Sequence, residues 1–82
     1  MSEIREIKLK RIRMRSWRRG TKEMDLILGG FSDFKLNSLS DSELSVYDKL
    51  LDESDNDLYA WCSGQLNAPS IYESLLNRIM KN

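Results

Sequence analysis

The sequence predicts an all-α fold, a compact five-helix bundle in a single domain spanning residues 1–82, and three observations support it. Apolar residues recur at i, i+3, i+4 and i+7 rather than in alternation. Two Ser-x-x-Glu boxes, at Ser40/Glu43 and Ser70/Glu73, each stand just before an apolar run, as at a capped helix start. Val46 and the few Ile, Thr and aromatic residues are too scattered to build strands. A chain of 82 residues buries only about 60% of the surface it exposes when unfolded, so the core is thin.

The elements follow in order. Ile4, Ile7, Leu9 and Ile12 predict a first helix running to about Trp17, with Lys8, Lys10, Arg11 and Arg13 on its other faces. Gly20 then suits a left-handed helix cap, and Thr21 an N-cap that places Glu23 in the first turn of a second helix, where the dipole favours an anion. Met24, Ile27, Leu28 and Phe31 form its apolar face, and the Gly29-Gly30 pair is expected to weaken its end. The Ser40 box opens a third helix with Leu44, Tyr47, Leu50 and Leu51 on one face. The polar break at 52–57 leads to a short fourth helix bearing Leu58, Trp61 and Cys62, ended by Gly64. After Pro69, the Ser70 box opens a fifth, lined by Tyr72, Leu75, Leu76 and Ile79, with Lys81 at its C-terminal dipole.

Composition excludes several function classes. With no His and one Cys, neither an imidazole metal site, a paired-thiolate site nor an internal disulfide can form. Cys62 lacks a base to activate it and reads as a small buried apolar side chain. No nucleophile-base pair, sheltered carboxylate pair or cofactor loop is evident, so no catalytic residue is assigned and the chain is read as a non-enzyme. The carboxylates at 52–57 lack the glycine and terminal glutamate of a calcium loop and read as helix caps. Gly29-Gly30 follows a helix rather than a strand, which argues against a phosphate cradle. Charges begin at once after Ile4, without an apolar leader of about 7 to 15 residues or a membrane span of about 20. That start predicts a soluble chain, either bacterial cytoplasmic or a mature organellar form.

Charge is where the sequence says most. Residues 1–23 hold nine of the thirteen Lys/Arg against three Asp/Glu, whereas residues 24–82 hold four against ten. Such poles bear on partners rather than on fold, and permit head-to-tail association of a chain otherwise expected to be monomeric. The stretch RSWRRGTKEMD, residues 15–25, concentrates the issue. A nucleic-acid patch would use Arg11, Arg13 and Arg15 for phosphates and Trp17 for stacking. A solvated corner would use the same cations against a helix dipole. A docking site would use the mixture of Arg19, a bare Gly20 backbone, Glu23 and Asp25, since a polyanion is repelled by the two carboxylates. Composition leaves all three open.

The motif Arg19-Gly20-x-x-Glu23, followed by SLSDSEL (38–44), Tyr47, Leu50-Leu51, DNDLYAW (55–61) and Pro69, resembles the SdhE family of bacterial flavoprotein assembly factors and its mitochondrial counterpart, succinate dehydrogenase assembly factor 2. The resemblance covers about residues 12–80. It implies a five-helix bundle that binds the flavoprotein subunit of succinate dehydrogenase, and in some bacteria fumarate reductase, and promotes covalent attachment of FAD to a histidine of that subunit. It further implies contact through Arg19, Gly20 and Glu23, extended by Asp25, with Arg15, Trp17, Arg18, Lys22 and Met24 at the rim; Trp61 also matches a family position, but its place on a short helix beside Leu58 reads as core rather than interface. FAD would be the partner's group, not one held tightly by this chain. The family commonly carries a larger residue than Gly30 at that position. An RNA-binding or antitoxin-like regulator using the basic first helix is the alternative.

Overall fold

Five α-helices arise in the computed structural model, which describes residues 3–81: α1 (Arg5–Trp17), α2 (Lys22–Lys35), α3 (Asp41–Leu50), α4 (Asp55–Cys62) and α5 (Ser70–Met80), with a 3-10 turn at Leu36–Ser38. Among the described residues there is no strand. Three helices start on the caps their sequences offer. Thr21 accepts from the Met24 amide, Ser54 from the Asp57 amide, and Ser40 and Glu43 close a reciprocal box at the head of α3.

The second expected box does not form. Pro69 takes the N-cap position in an extended conformation and its carbonyl accepts from the Tyr72 amide, so Ser70 already lies inside α5 and its hydroxyl caps nothing. Gly64 ends the α4 segment with φ at +83°, the one left-handed residue among those described. Gly20, expected in that conformation, does not adopt it.

The core gathers Ile12, Met24, Leu28, Leu36, Leu44, Tyr47, Leu50, Leu58 and Tyr72 from every helix and the 3-10 turn. Phe31 stacks on Tyr47 and Trp61 packs against Tyr72, each pair with ring centroids 5.7 Å apart. Cys62 is half-buried against this cluster, and burial pushes its thiol pKa up, as suits a packing residue rather than a nucleophile. One polar seam crosses the core. The buried Ser16 hydroxyl lies 2.8 Å from both the Ile12 carbonyl and the Tyr47 hydroxyl, and Tyr47 donates to the Leu28 carbonyl at 3.2 Å. Helices α1, α2 and α3 are thereby joined where a lone hydroxyl would be costly.

Two expectations about helix faces are corrected. Ile4 and Ile7 are exposed at 62% and 54%, because the inner face of α1 is built from Leu9, Ile12 and Ser16 with Arg5, Lys8 and Arg15 beside them. Basic residues thus share the inward face. Helix α2, for its part, passes unbroken through Gly29-Gly30 to Lys35. Gly29 is there for closeness: a Cβ at that position would stand 2.3 Å from the Trp17 ring. At Gly30 a Cβ would meet nothing within 4 Å.

Candidate functional site

The first helix ends at Trp17 and the second begins at Lys22, so residues 18–21 form a tight corner between the two most extensively packed helices. Arg19, at this corner, turns its side chain inward. Its Nε donates to Asp55 Oδ1 at 2.8 Å, Nη1 to the Leu51 carbonyl at 2.8 Å and Nη2 to the Glu53 carbonyl at 2.8 Å. The guanidinium fork is filled from within the chain, with 10% of the side chain exposed. The Arg19 amide meanwhile donates to Asp25 Oδ1 at 2.7 Å, so Asp25 braces the same corner from α2.

Gly20 sits at the surface, its amide donating to Asp55 Oδ2. A Cβ here would lie 2.9 Å from that same oxygen, so the requirement for glycine is spatial rather than a matter of φ. Glu23 projects from the first turn of α2 into solvent and, among the described residues, its carboxylate has no hydrogen bond or ion pair. Arg18 and Lys22 are likewise exposed and unpaired within the described residues. Beside them Thr21, Glu23, Asp55, Asn56, Tyr59 and Gln65 line an open crevice of about 460 Å³ between α2 and α4.

The other residues assigned to the rim fare differently. Met24 is wholly buried in the core and presents nothing at the surface, a correction that follows from its sharing a face with Leu28 and Phe31. Arg15 is drawn along α1 toward the acidic side of α3, bonding Asp48, Asp52 and the Leu51 carbonyl. Trp17 is 38% exposed, its indole N–H donating to Asp33 at 3.1 Å and its ring lying on Gly29. It covers the α1–α2 seam.

The basic pole is largely answered by the chain's own acids. Arg5 pairs with Asp41, Lys8 with the Ser45 hydroxyl, Arg11 with Asp48, Arg15 with Asp48 and Asp52, and Arg19 with Asp55. Each partner lies 33 to 37 residues further along, with most separations 36 or 37. Two series that rise together define a ladder in which α1 runs alongside α3 in the same direction. The Arg11 guanidinium beside Asp48 holds that carboxyl below its usual range, and Arg11 is itself held charged. A polyanion at this helix would have to displace these carboxylates. No group of three or more acidic or Cys side chains that could hold a metal occurs among the described residues, and none of their helices is long and apolar enough to cross a membrane.

These features define a small helical domain organised around one corner, braced from beneath by Arg19, Asp25 and Asp55 and open above at Gly20 and Glu23. The family model described as "Flavinator of succinate dehydrogenase" matches residues 10–82, and the chain belongs to that family. Relatives carrying the name succinate dehydrogenase assembly factor 2, mitochondrial, include that of Meyerozyma guilliermondii, 49% identical over 74% of this chain and 45% of its own length. That of Schizosaccharomyces pombe is 40% identical over 88% of this chain and 52% of its own, and that of Mycosarcoma maydis 40% identical over 93% and 32%. The chain spans about a third to a half of the length of these curated relatives.

Proposed function

We propose that this chain is a non-catalytic assembly factor that docks on the flavoprotein subunit of succinate dehydrogenase and promotes covalent attachment of FAD to it. The observation that carries the reading is the corner itself: in a chain of this family, Gly20 stands exposed on a braced turn with its amide held by Asp55, and Glu23 beside it is exposed with no partner among the described residues. The bare Gly20 backbone admits close approach, and Glu23 is free to accept hydrogen bonds from partner amides or a cation. Arg18, Lys22 and the exposed edge of Trp17 form the rim. Arg19, Asp25 and Arg15 act from inside, setting the shape of the corner rather than reaching the partner.

Bond formation in this reading belongs to the flavoprotein. The factor binds one conformation of it more tightly than the others, the one in which flavin and acceptor histidine meet, and shifts the population by that difference in affinity. FAD itself is not expected to be held tightly by this chain. The compartment is the one in which the flavoprotein acquires FAD, the mitochondrial matrix or the bacterial cytoplasm.

Co-expression with a succinate dehydrogenase flavoprotein in a host lacking its own factor tests the reading, with in-gel flavin fluorescence after denaturation reporting covalent FAD. Fluorescence that depends on this chain and is lost with Glu23→Ala, without change in melting temperature, is expected. Fluorescence equal with and without the chain would sink the proposal.

A further inference from the structure

We propose that Asp55 is a positioning residue for the docking corner, acting through Arg19 and Gly20 rather than by touching the partner. The assignment rests on the docking role proposed above and concerns a residue that lies 35 positions away from the motif it serves.

Its two oxygens are divided between two consecutive residues. Oδ1 accepts from Arg19 Nε and Oδ2 from the Gly20 amide, so one carboxylate grips the dipeptide by its side chain and its backbone together. The grip is sheltered, with the Asp55 side chain 17% exposed and that of Arg19 10% exposed. Helix capping does not account for it. Ser54 already caps α4, and Asp57 supplies a second anion in the same first turn. Asp55 instead points across to the corner, while the Leu51 and Glu53 carbonyls of the same loop take the remaining Arg19 nitrogens. The segment 51–55 is thus a socket of three acceptors, and the corner is plugged into it by Arg19.

This matching also explains what glycine does at position 20. The Asp55 Oδ2 occupies the space a Cβ would need, at 2.9 Å, so a side chain at position 20 would push the carboxylate off both of its donors. Glycine serves the inner contact as well as the outer one. Without the grip, the turn that carries Gly20 and sets the start of α2 loses its anchor, and Glu23 no longer meets a partner in one arrangement.

The test titrates the full chain and its variants against purified succinate dehydrogenase flavoprotein, with covalent flavin and melting temperature read in parallel. Asp55→Asn keeps the shape but puts an NH2 where an acceptor is needed, and is expected to weaken association about tenfold. Asp55→Glu restores two oxygens and is expected to recover most of the affinity. In an Arg19→Gln background Asp55→Asn should cost less than it does alone, since the Arg19 half of the grip is already gone and only the Gly20 amide is left to lose. Ser40→Ala, which removes the remote α3 cap, serves as the control for destabilisation alone and should bind as the parent does. Asp55→Asn binding as tightly as Ser40→Ala overturns the proposal, as do effects of Asp55→Asn and Arg19→Gln that simply multiply. Hydrogen exchange in the parent decides independently of whether any variant folds. The Gly20 amide should exchange far more slowly than those of Lys22 and Glu23 in the open first turn, and equal rates overturn the grip. A parent chain that binds no flavoprotein defeats the docking role, whereas a parent that binds alongside an Asp55→Asn chain that binds equally defeats only the assignment of Asp55.

Discussion

The ladder between α1 and α3 and the corner between α1 and α2 draw on the same residues, arginines and carboxylates a few positions apart, and put them to opposite uses. Along the ladder Arg5, Arg11 and Arg15 each face an acid of α3 or of the loop that follows it, and these charges are spent inside the molecule. At the corner only part is spent. Arg19 and Asp25 turn inward, while Glu23, Arg18 and Lys22 face solvent with no partner among the described residues. A charged stretch becomes a surface for others where the fold sets nothing opposite it. That depends on what tertiary packing brings across, which a local reading of sequence does not contain.

The largest expected effect breaks the corner. Gly20→Arg should weaken association with the flavoprotein by about 30-fold or more, the scale of truncating a strong interface contact. It should also lower the melting temperature, because the new Cβ collides with the Asp55 carboxylate. A variant that melts like the parent and still supports covalent flavin would show that the corner is not the contact.

A second comparison lies within one dipeptide. Gly29→Ala drives a methyl group into the Trp17 ring and should cost about 1–3 kcal/mol, whereas Gly30→Ala has open space and should gain about 0.5–1 kcal/mol from helix propensity. Urea titration of the two variants measures both. Equal signs would mean that the ring moves aside and that the α1–α2 seam is looser than the structure describes.

The smallest effect belongs to the ladder. Asp48→Asn leaves Arg11 and Arg15 without their shared carboxylate, yet the pairs are partly exposed, so about 1 kcal/mol is expected, shrinking in 1 M salt. The pH dependence has a definite sign. The folded-state pKa of Asp48 is depressed, so its contribution is complete above the ordinary aspartate value of 3.8 and is lost as pH falls below that value through the folded one. Denaturation midpoints measured from pH 6 down to pH 2 should fall less steeply for Asp48→Asn than for the parent. Tyr47 works at the other extreme. Burial pushes its pKa up to about 12, so the unfolded chain ionises first and stability falls as pH rises from 10 toward 12.

Much of the fold was legible because it is local. Ser40 and Glu43 cap α3 through atoms three residues apart, and Met24, Leu28 and Phe31 fall on one face of α2 by helical period alone. Where local signals failed, something distant had intervened. Pro69 moved the start of α5 back by one residue, and Gly29, read as a weak point, is where a ring from another helix comes to rest. Ile4 and Ile7 misled because the face of α1 that packs inward carries Leu9, Ile12 and Ser16, flanked by arginines that meet the carboxylates of α3, and leaves those two isoleucines outside. The offset of 36 or 37 that pairs Lys8, Arg11, Arg15 and Arg19 with Ser45, Asp48, Asp52 and Asp55 was present in the sequence. Only once the helices are known to lie side by side does it become a signal.

The candidate site divides along the same line. The helix junction at residues 18–21 and the place of Glu23 in a first helical turn came from the order of residues, while the choice of Arg19-Gly20-x-x-Glu23 as the candidate site came from the resemblance to a known family. Which of those residues faces outward did not. Met24 and Arg19 are neighbours of Glu23 and Gly20 in sequence, yet one lies in the core and the other is plugged into the socket at 51–55. Local sequence sets helix period, caps and breaks because those interactions span only a few residues. Each side chain's direction at the corner was decided by tertiary structure, because Asp55 and the carbonyls that hold Arg19 reach it only after the chain has folded back through two helices and the 3-10 turn between them.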